Sequence, residues 1–140
     1  MRKAAIISVV LAAMLTIGVA AASAVRSAAT ATTVNVQLKE FNIIPKPTKT
    51  KAGKVTFVVK NVGKIEHEFV VIRTNLAPGK LPVSGNEASE KGAVGEVPDL
   101  APGESGKVTF KNLKPGKYVL ICNIAGHYKA GQYIRFQVTA

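Results

Sequence analysis

The chain has 140 residues, 47% of them hydrophobic, which suffices for one domain with its own core and excludes a disordered tail. Its formal charge is +11, from 19 basic and 8 acidic residues, a balance suited to nucleic acid, anionic lipid or an acidic protein partner. The lysines are spread through turns and strands without an aromatic-interleaved basic run, which argues against nucleic acid and for a generally solvated cationic surface.

Residues 1–24 read as an export signal. Arg2 and Lys3 form a positive start, Ala4 to Ala22 is apolar, and Ala22-Ser23-Ala24 has the small-x-small pattern of a signal-peptidase site. The apolar run reaches the length of a membrane span, so a retained N-terminal anchor is the alternative to cleavage. Either fate puts the domain outside the cytoplasm, in the periplasm or an equivalent space. Residues 25–33 are small and polar and read as a linker, which leaves 34–140 as the domain.

From there β signals dominate. Val34 to Leu38 alternates apolar and polar with period two, as a half-buried strand does. Pro45 and Pro47 interrupt the chain before Lys54 to Lys60, in which Val55, Phe57 and Val59 share a face. A turn at Asn61-Val62-Gly63 leads into Ile65 to Arg73. Thr74 to Gly95 is long and poor in hydrophobic residues, a loop of the kind that is often functional or partly helical. Glu96–Leu100, Lys107–Lys111, Tyr118–Cys122 and Ile134–Val138 complete a set of seven or eight short strands with Pro/Gly turns. The expected fold is an all-β Greek-key sandwich.

The chain has one cysteine, Cys122, and two histidines, His67 and His127. No internal disulfide is possible, and an exported lone thiol is a liability unless something occupies it or burial hides it. His67 is in phase with Ile65, Phe69 and Val71, a parity that a core histidine also satisfies. His127 follows Cys122 by five residues in Cys-Asn-Ile-Ala-Gly-His-Tyr-Lys-Ala-Gly-Gln, where Gly126 and Gly131 permit a tight loop that aims thiolate and imidazole at one point. One thiolate and two imidazoles suit copper in both oxidation states, with a weak fourth group on the axis. Methionine, the usual axial donor, occurs only as Met1 and Met14, so the candidates are the Gln132 amide oxygen and the Glu66 backbone carbonyl. Zinc prefers closed sets richer in cysteine. A Cys–His hydrolase would need an orienting group and an oxyanion hole that the loop does not suggest.

The segment CNIAGHYKAGQ, with NVGKIEHEF upstream, resembles the cupredoxins, the small blue copper proteins. The spacing Cys-x4-His-x4-Gln is similar to that of rusticyanins and phytocyanins, and Gln132 in the axial slot resembles stellacyanin. The likeness extends over about residues 34 to 140. It implies an eight-stranded sandwich that binds one type 1 copper through His67, Cys122 and His127, with Gln132 axial. Two departures stand out: Glu68 occupies the place after the first histidine where many cupredoxins carry asparagine, and a lone cysteine excludes the phytocyanin disulfide. Tyr118, ahead of the cysteine, has the placing of a tyrosine corner. The expected role is a monomeric one-electron carrier, not an enzyme, serving a redox partner with an acidic docking surface. Copper buffering or delivery is the alternative function, and the basic charge and leader also admit association with a membrane surface.

Overall fold

The computed structural model describes residues 31–140, so the expected signal and most of the linker lie outside the described residues. Eleven strands follow in chain order: β1 (Thr32–Lys39), β2 (Asn42–Lys46), β3 (Lys49–Lys51), β4 (Gly53–Asn61), β5 (His67–Arg73), β6 (Val83–Ser84), β7 (Glu87–Ala88), β8 (Ala93–Leu100), β9 (Ser105–Leu113), β10 (Gly116–Ile121) and β11 (Tyr133–Thr139). One sheet has the order β2-β1-β4-β9, a second the order β3-β11-β10-β5-β8, and β6 and β7 form a separate hairpin. β1 runs parallel to β4 and β3 parallel to β11, while the other pairs are antiparallel. The fold is the expected all-β sandwich.

Inward residues of the first sheet, Val34, Val36, Leu38, Val55, Phe57 and Val59, meet Phe69, Val71, Leu120, Phe136 and Val138 of the second. Phe57 sits among Phe69, Phe110 and Phe136 with ring centroids 5.5, 6.1 and 5.3 Å away. β5 and β10 are buried on both faces, which explains their unbroken apolar runs Phe69–Ile72 and Tyr118–Ile121. Their second face carries Val70, Ile72, Val119 and Ile121 under Leu81, Ala88 and Tyr128. The long loop, of the kind read as often functional or partly helical, has no helix and forms this cover, folded around the β6–β7 hairpin. Tyr118 donates its hydroxyl to the Lys114 carbonyl at 2.7 Å, which makes the corner.

Several strand boundaries differ from the sequence expectation, and three of the differences have a cause in the contacts. β1 starts at Thr32, because Thr32 and Thr33 already pair with Val55 and Thr56. Pro45 lies inside β2 rather than breaking the chain; β2 is an edge strand, where a missing N–H is tolerated. β5 begins at His67, since Asn61 and Glu40 hold the preceding residues in a turn. The register that pairs Ile121 with Val70 brings the end of β10 and the start of β5 to the same end of the sandwich, and the donor residues gather there.

Phe57→Ala should cost about 3–5 kcal/mol, because four neighbouring elements cannot collapse into the space it leaves. Urea unfolding of both proteins measures the loss, and a cost below about 1 kcal/mol would show a core that repacks freely.

Candidate metal centre

His67 is placed by the turn before it. The buried Asn61 side chain donates to the carbonyls of Ile65 at 2.7 Å and Leu100 at 2.8 Å, and accepts from the Gly63 N–H at 2.8 Å. Glu40, in the β1–β2 turn, accepts from the N–H groups of Lys64 and Ile65, the latter at 3.0 Å. These backbone hydrogen bonds hold its carboxyl down at about 2. A Cβ on Gly63 would lie 2.6 Å from the Glu40 carboxylate, so glycine is what lets the two segments meet.

Cys122 directly follows β10, and its N–H donates to the Gln132 carbonyl at 3.1 Å, which closes the loop at its base. Inside the loop the His127 N–H donates to the Ile124 carbonyl at 2.8 Å and the Gln132 N–H to the His127 carbonyl at 3.1 Å. Gly126, with φ of 87°, makes the left-handed step that a side chain would disfavour. The covering hairpin clamps the loop from outside. Gly126 N–H donates to the Asn86 carbonyl at 2.8 Å. Asn123 accepts from the Ala88 N–H at 2.7 Å and donates to its carbonyl at 3.0 Å.

The side chains converge. Cys122 Sγ lies 3.9 Å from His67 Nδ1 and 3.4 Å from His127 Nδ1, and the donor atoms of all three residues lie within 4.8 Å of one another. The Gln132 amide is fully buried beside them, with Nε2 3.1 Å from His67 Nδ1 and donating to the Lys39 carbonyl at 3.3 Å. Among the described residues two buried side-chain atoms have no hydrogen-bond partner, His67 Nε2 and Gln132 Oε1. Glu40 Oε1 stands 3.8 Å from His67 Nε2, close enough for attraction but too far for a hydrogen bond. A buried orphan acceptor costs about 1–3 kcal/mol, which coordination of a cation at Gln132 Oε1 would offset.

Burial lowers the His67 pKa, helped by His127 and opposed by Glu40, which favours the neutral imidazole; its Nδ1 lone pair faces the Gln132 Nε2–H group and is the one that a metal would take in its place. Burial likewise pushes the Cys122 thiol up, against the backbone N–H groups of Glu68 and Ile124. The Glu68 N–H reaches Sγ at 3.3 Å. The donor set of one sulfur, two imidazoles and one amide fits copper better than the closed sets of structural zinc.

A family model for the cupredoxin-like domain matches residues 7–134. The chain belongs to the cupredoxin family. Copper is the cofactor of this cupredoxin, and the three convergent donors form its candidate site. The copper-resistant cuproprotein CopI of Rubrivivax gelatinosus is 33% identical over 88 residues, covering 60% of this chain and 51% of that protein. Auracyanin-B of Chloroflexus aurantiacus is 50% identical over 40 residues, covering 29% of this chain and 17% of that protein. The cupredoxin thus spans about half or less of the length of these curated relatives. A solved auracyanin B structure aligns over 79% of this chain and 90% of its own with a TM-score of 0.62 at 26% identity. Rusticyanin from Thiobacillus ferrooxidans aligns over 79% of each chain with a TM-score of 0.58 at 16% identity, a likeness of fold alone.

Sequence reading passed over three residues that shape the site. Glu40 and Asn61 fix the turn before His67, and Phe41 lies edge-on to the His127 ring at 5.3 Å. Asn61 had a signal in the Asn-Val-Gly turn. The other two are far from the motif in sequence and carry none.

The carboxyls make opposite contributions to the pH dependence of the metal-free protein. Burial, then Glu90 and Asp99, raises Glu68 from about 4.5 to about 7. Its neutral form is favoured by folding, so that stability is full below the unfolded value and is lost as pH rises through about 7. Glu40, lowered to about 2, adds stability above about 4.5 that is lost as pH falls through about 2. Glu68→Gln should therefore flatten the decline in urea midpoint between about pH 5 and about pH 8. An unchanged slope would assign that decline to other groups.

Proposed function

We propose that this cupredoxin is an exported one-electron carrier in which His67, Cys122 and His127 hold one copper ion and Gln132 is the weak axial ligand. The observation that carries the reading is the buried donor set with an unpartnered amide oxygen beside it, braced on every side by backbone hydrogen bonds. Bound there, copper supplies a one-electron couple that tolerates similar geometry in both states.

The chain's own residues do the rest. Cys122 gives up its thiol proton on loading, and the Glu68 N–H then stabilises the thiolate. The hairpin clamp and the Asn61 and Glu40 anchors keep the donors from rearranging when the charge changes, which keeps reorganisation small. Cys122, His67 and Gln132 are shut away from water, whereas His127 is half-buried. Its ring packs on Phe41, which with Ile65 is an exposed apolar side chain. An electron leaves by this edge with the least intervening protein. Lys64 and Lys129 are chain neighbours of these residues and suit an acidic rim on the partner. No nucleophile with an orienting base is part of this reading, so the role is transfer rather than catalysis.

A second reading, copper buffering or delivery, is favoured by the likeness to CopI, which is named for copper resistance. The two separate under a competing Cu(I) chelator, to which a delivery protein yields its ion within minutes while a carrier retains it.

The copper-loaded protein should absorb intensely towards the red end of the visible, and Cys122→Ser should abolish that band; its survival would sink the ligand assignment. Gln132→Met should raise the reduction potential with one copper still bound, because a thioether is a softer donor than an amide oxygen and favours Cu(I). Gln132→Leu should raise it further. Equal potentials in all three proteins would move the axial role to the Glu66 carbonyl.

A further inference from the structure

The outer faces of the two sheets are unlike. On the five-stranded sheet, Val70, Ile72, Val119 and Ile121 lie under the cover formed by the long loop. On the four-stranded sheet no described residue covers the outer face. The alternation that sends Val55, Phe57 and Val59 inward sends Lys54, Thr56, Val58 and Lys60 outward, and the same holds along β1, β2 and β9. The outward side chains include six lysines, Lys39, Lys46, Lys54, Lys60, Lys107 and Lys111, and no carboxylate.

The carboxylates flanking these strands do not neutralise the face. Glu40 is turned to the N–H groups of Lys64 and Ile65, and Glu104 accepts from the Ala101 N–H at 2.9 Å. Five of the other acidic residues, Glu66, Glu68, Glu87, Glu90 and Asp99, border one hollow beside Asn123. The bulge between Gly53 and Val55 sets Lys54 opposite the Lys111 stretch, a like-charge approach that costs stability. Six lysines that look scattered in sequence therefore share one face of the sheet with no carboxylate among them, unlike the mixed-sign surface expected of a merely soluble domain.

We infer that the outer face of the four-stranded sheet docks on an anionic lipid bilayer. The face has no aromatic side chain on which a base could stack, so a nucleic-acid strand would find charge there and nothing else. It is a broad side of the sandwich, whereas the donors lie at one end, so an electron-exchanging protein seated there would be poorly placed to reach His127. A lipid surface exchanges no electron and tolerates that position. The domain then lies on its side, with the His127 edge free for a partner travelling in or along the membrane. Each lysine near an anionic surface strengthens binding by about fivefold, an effect that fades within a Debye length of about 8 Å at physiological salt.

The test uses the protein from Val25 onward, without the apolar run that would itself enter a bilayer, with phosphatidylcholine vesicles, with and without phosphatidylglycerol, in a sedimentation assay. Partition should favour the anionic vesicles at least about 100-fold and fall steeply with salt. On the unmodified protein, anionic vesicles should shield Lys54, Lys60, Lys107 and Lys111 from acetylation and leave Lys80 and Lys91 reactive. K54Q/K60Q/K107Q/K111Q should lose the preference, while K80Q/K91Q/K114Q/K117Q should retain it to within about fivefold. Equal binding to neutral vesicles, equal losses in the two variants, shielding of other lysines, or tighter face-dependent binding to a single-stranded oligonucleotide would each overturn the inference.

Discussion

The structure is organised around one costly requirement: a thiol, an imidazole and an amide must be held out of water, with too few partners of their own, beside a second imidazole that is half-buried. Desolvation acts on the thiol and on the buried imidazole in the direction of neutrality, raising Cys122 and lowering His67. Such a cluster would relax if its backbone were free to move, turning His67 Nε2 or Gln132 Oε1 towards water. It does not, because each donor leaves a strand end or a loop whose polar groups are already engaged. Asn61 satisfies three backbone groups at once, and Asn123 pairs in both directions with Ala88. The metal site is therefore prepared by hydrogen bonds that do not involve the metal.

Those hydrogen bonds also explain why the long loop is present. A sandwich needs only its inner faces buried, yet β5 and β10 are apolar on both. Covering the second face with residues 74–95 creates a second core, and the underside of that cover is what grips the Cys122–Gln132 loop. Tyr128 links the two, since its side chain lies in the second core and its hydroxyl accepts from the Leu81 N–H at 2.9 Å. A segment that is poor in hydrophobic residues overall thus works through a few placed ones, Leu81 and Ala88.

The fold was legible because alternation is a local property. Val34-Val36-Leu38 and Val55-Phe57-Val59 announce their faces without any knowledge of partners. The donor residues were legible for a different reason: a lone cysteine and two histidines leave little choice, and the loop spacing ties two of them together. What did not show was whatever depends on contacts between distant segments. Glu40 acts on residues 24 and 25 positions away, and Phe41 meets His127 across the width of the chain. Pro45 misled because edge position is a property of the assembled sheet. The grouping of six lysines was hidden for the same reason, since β9 joins β4 only through a pairing some fifty residues apart.

On the proposed assignment, burial and the axial donor act on the potential in opposite directions. Burial favours the protonated thiol of Cys122 and the neutral ring of His67, so these two buried donors carry no charge in the metal-free protein. Replacing the proton by Cu(I) leaves the pair neutral, whereas Cu(II) with one thiolate carries a net positive charge into a water-excluded site. Low polarity around the donors therefore favours the reduced state, and so does the Glu68 N–H, which draws charge from the sulfur. An amide oxygen at Gln132 favours the oxidised state. Glu40 joins the amide, because its ionised carboxylate behind His67 stabilises positive charge on the ring and the metal it would bind. A domain with a thioether in that slot and no carboxylate there would have its levers aligned. Here the levers oppose one another, and the two residues that favour the oxidised state also hold the site: Glu40 accepts from the Lys64 and Ile65 N–H groups ahead of His67, and the Gln132 carbonyl closes the base of the Cys122 loop.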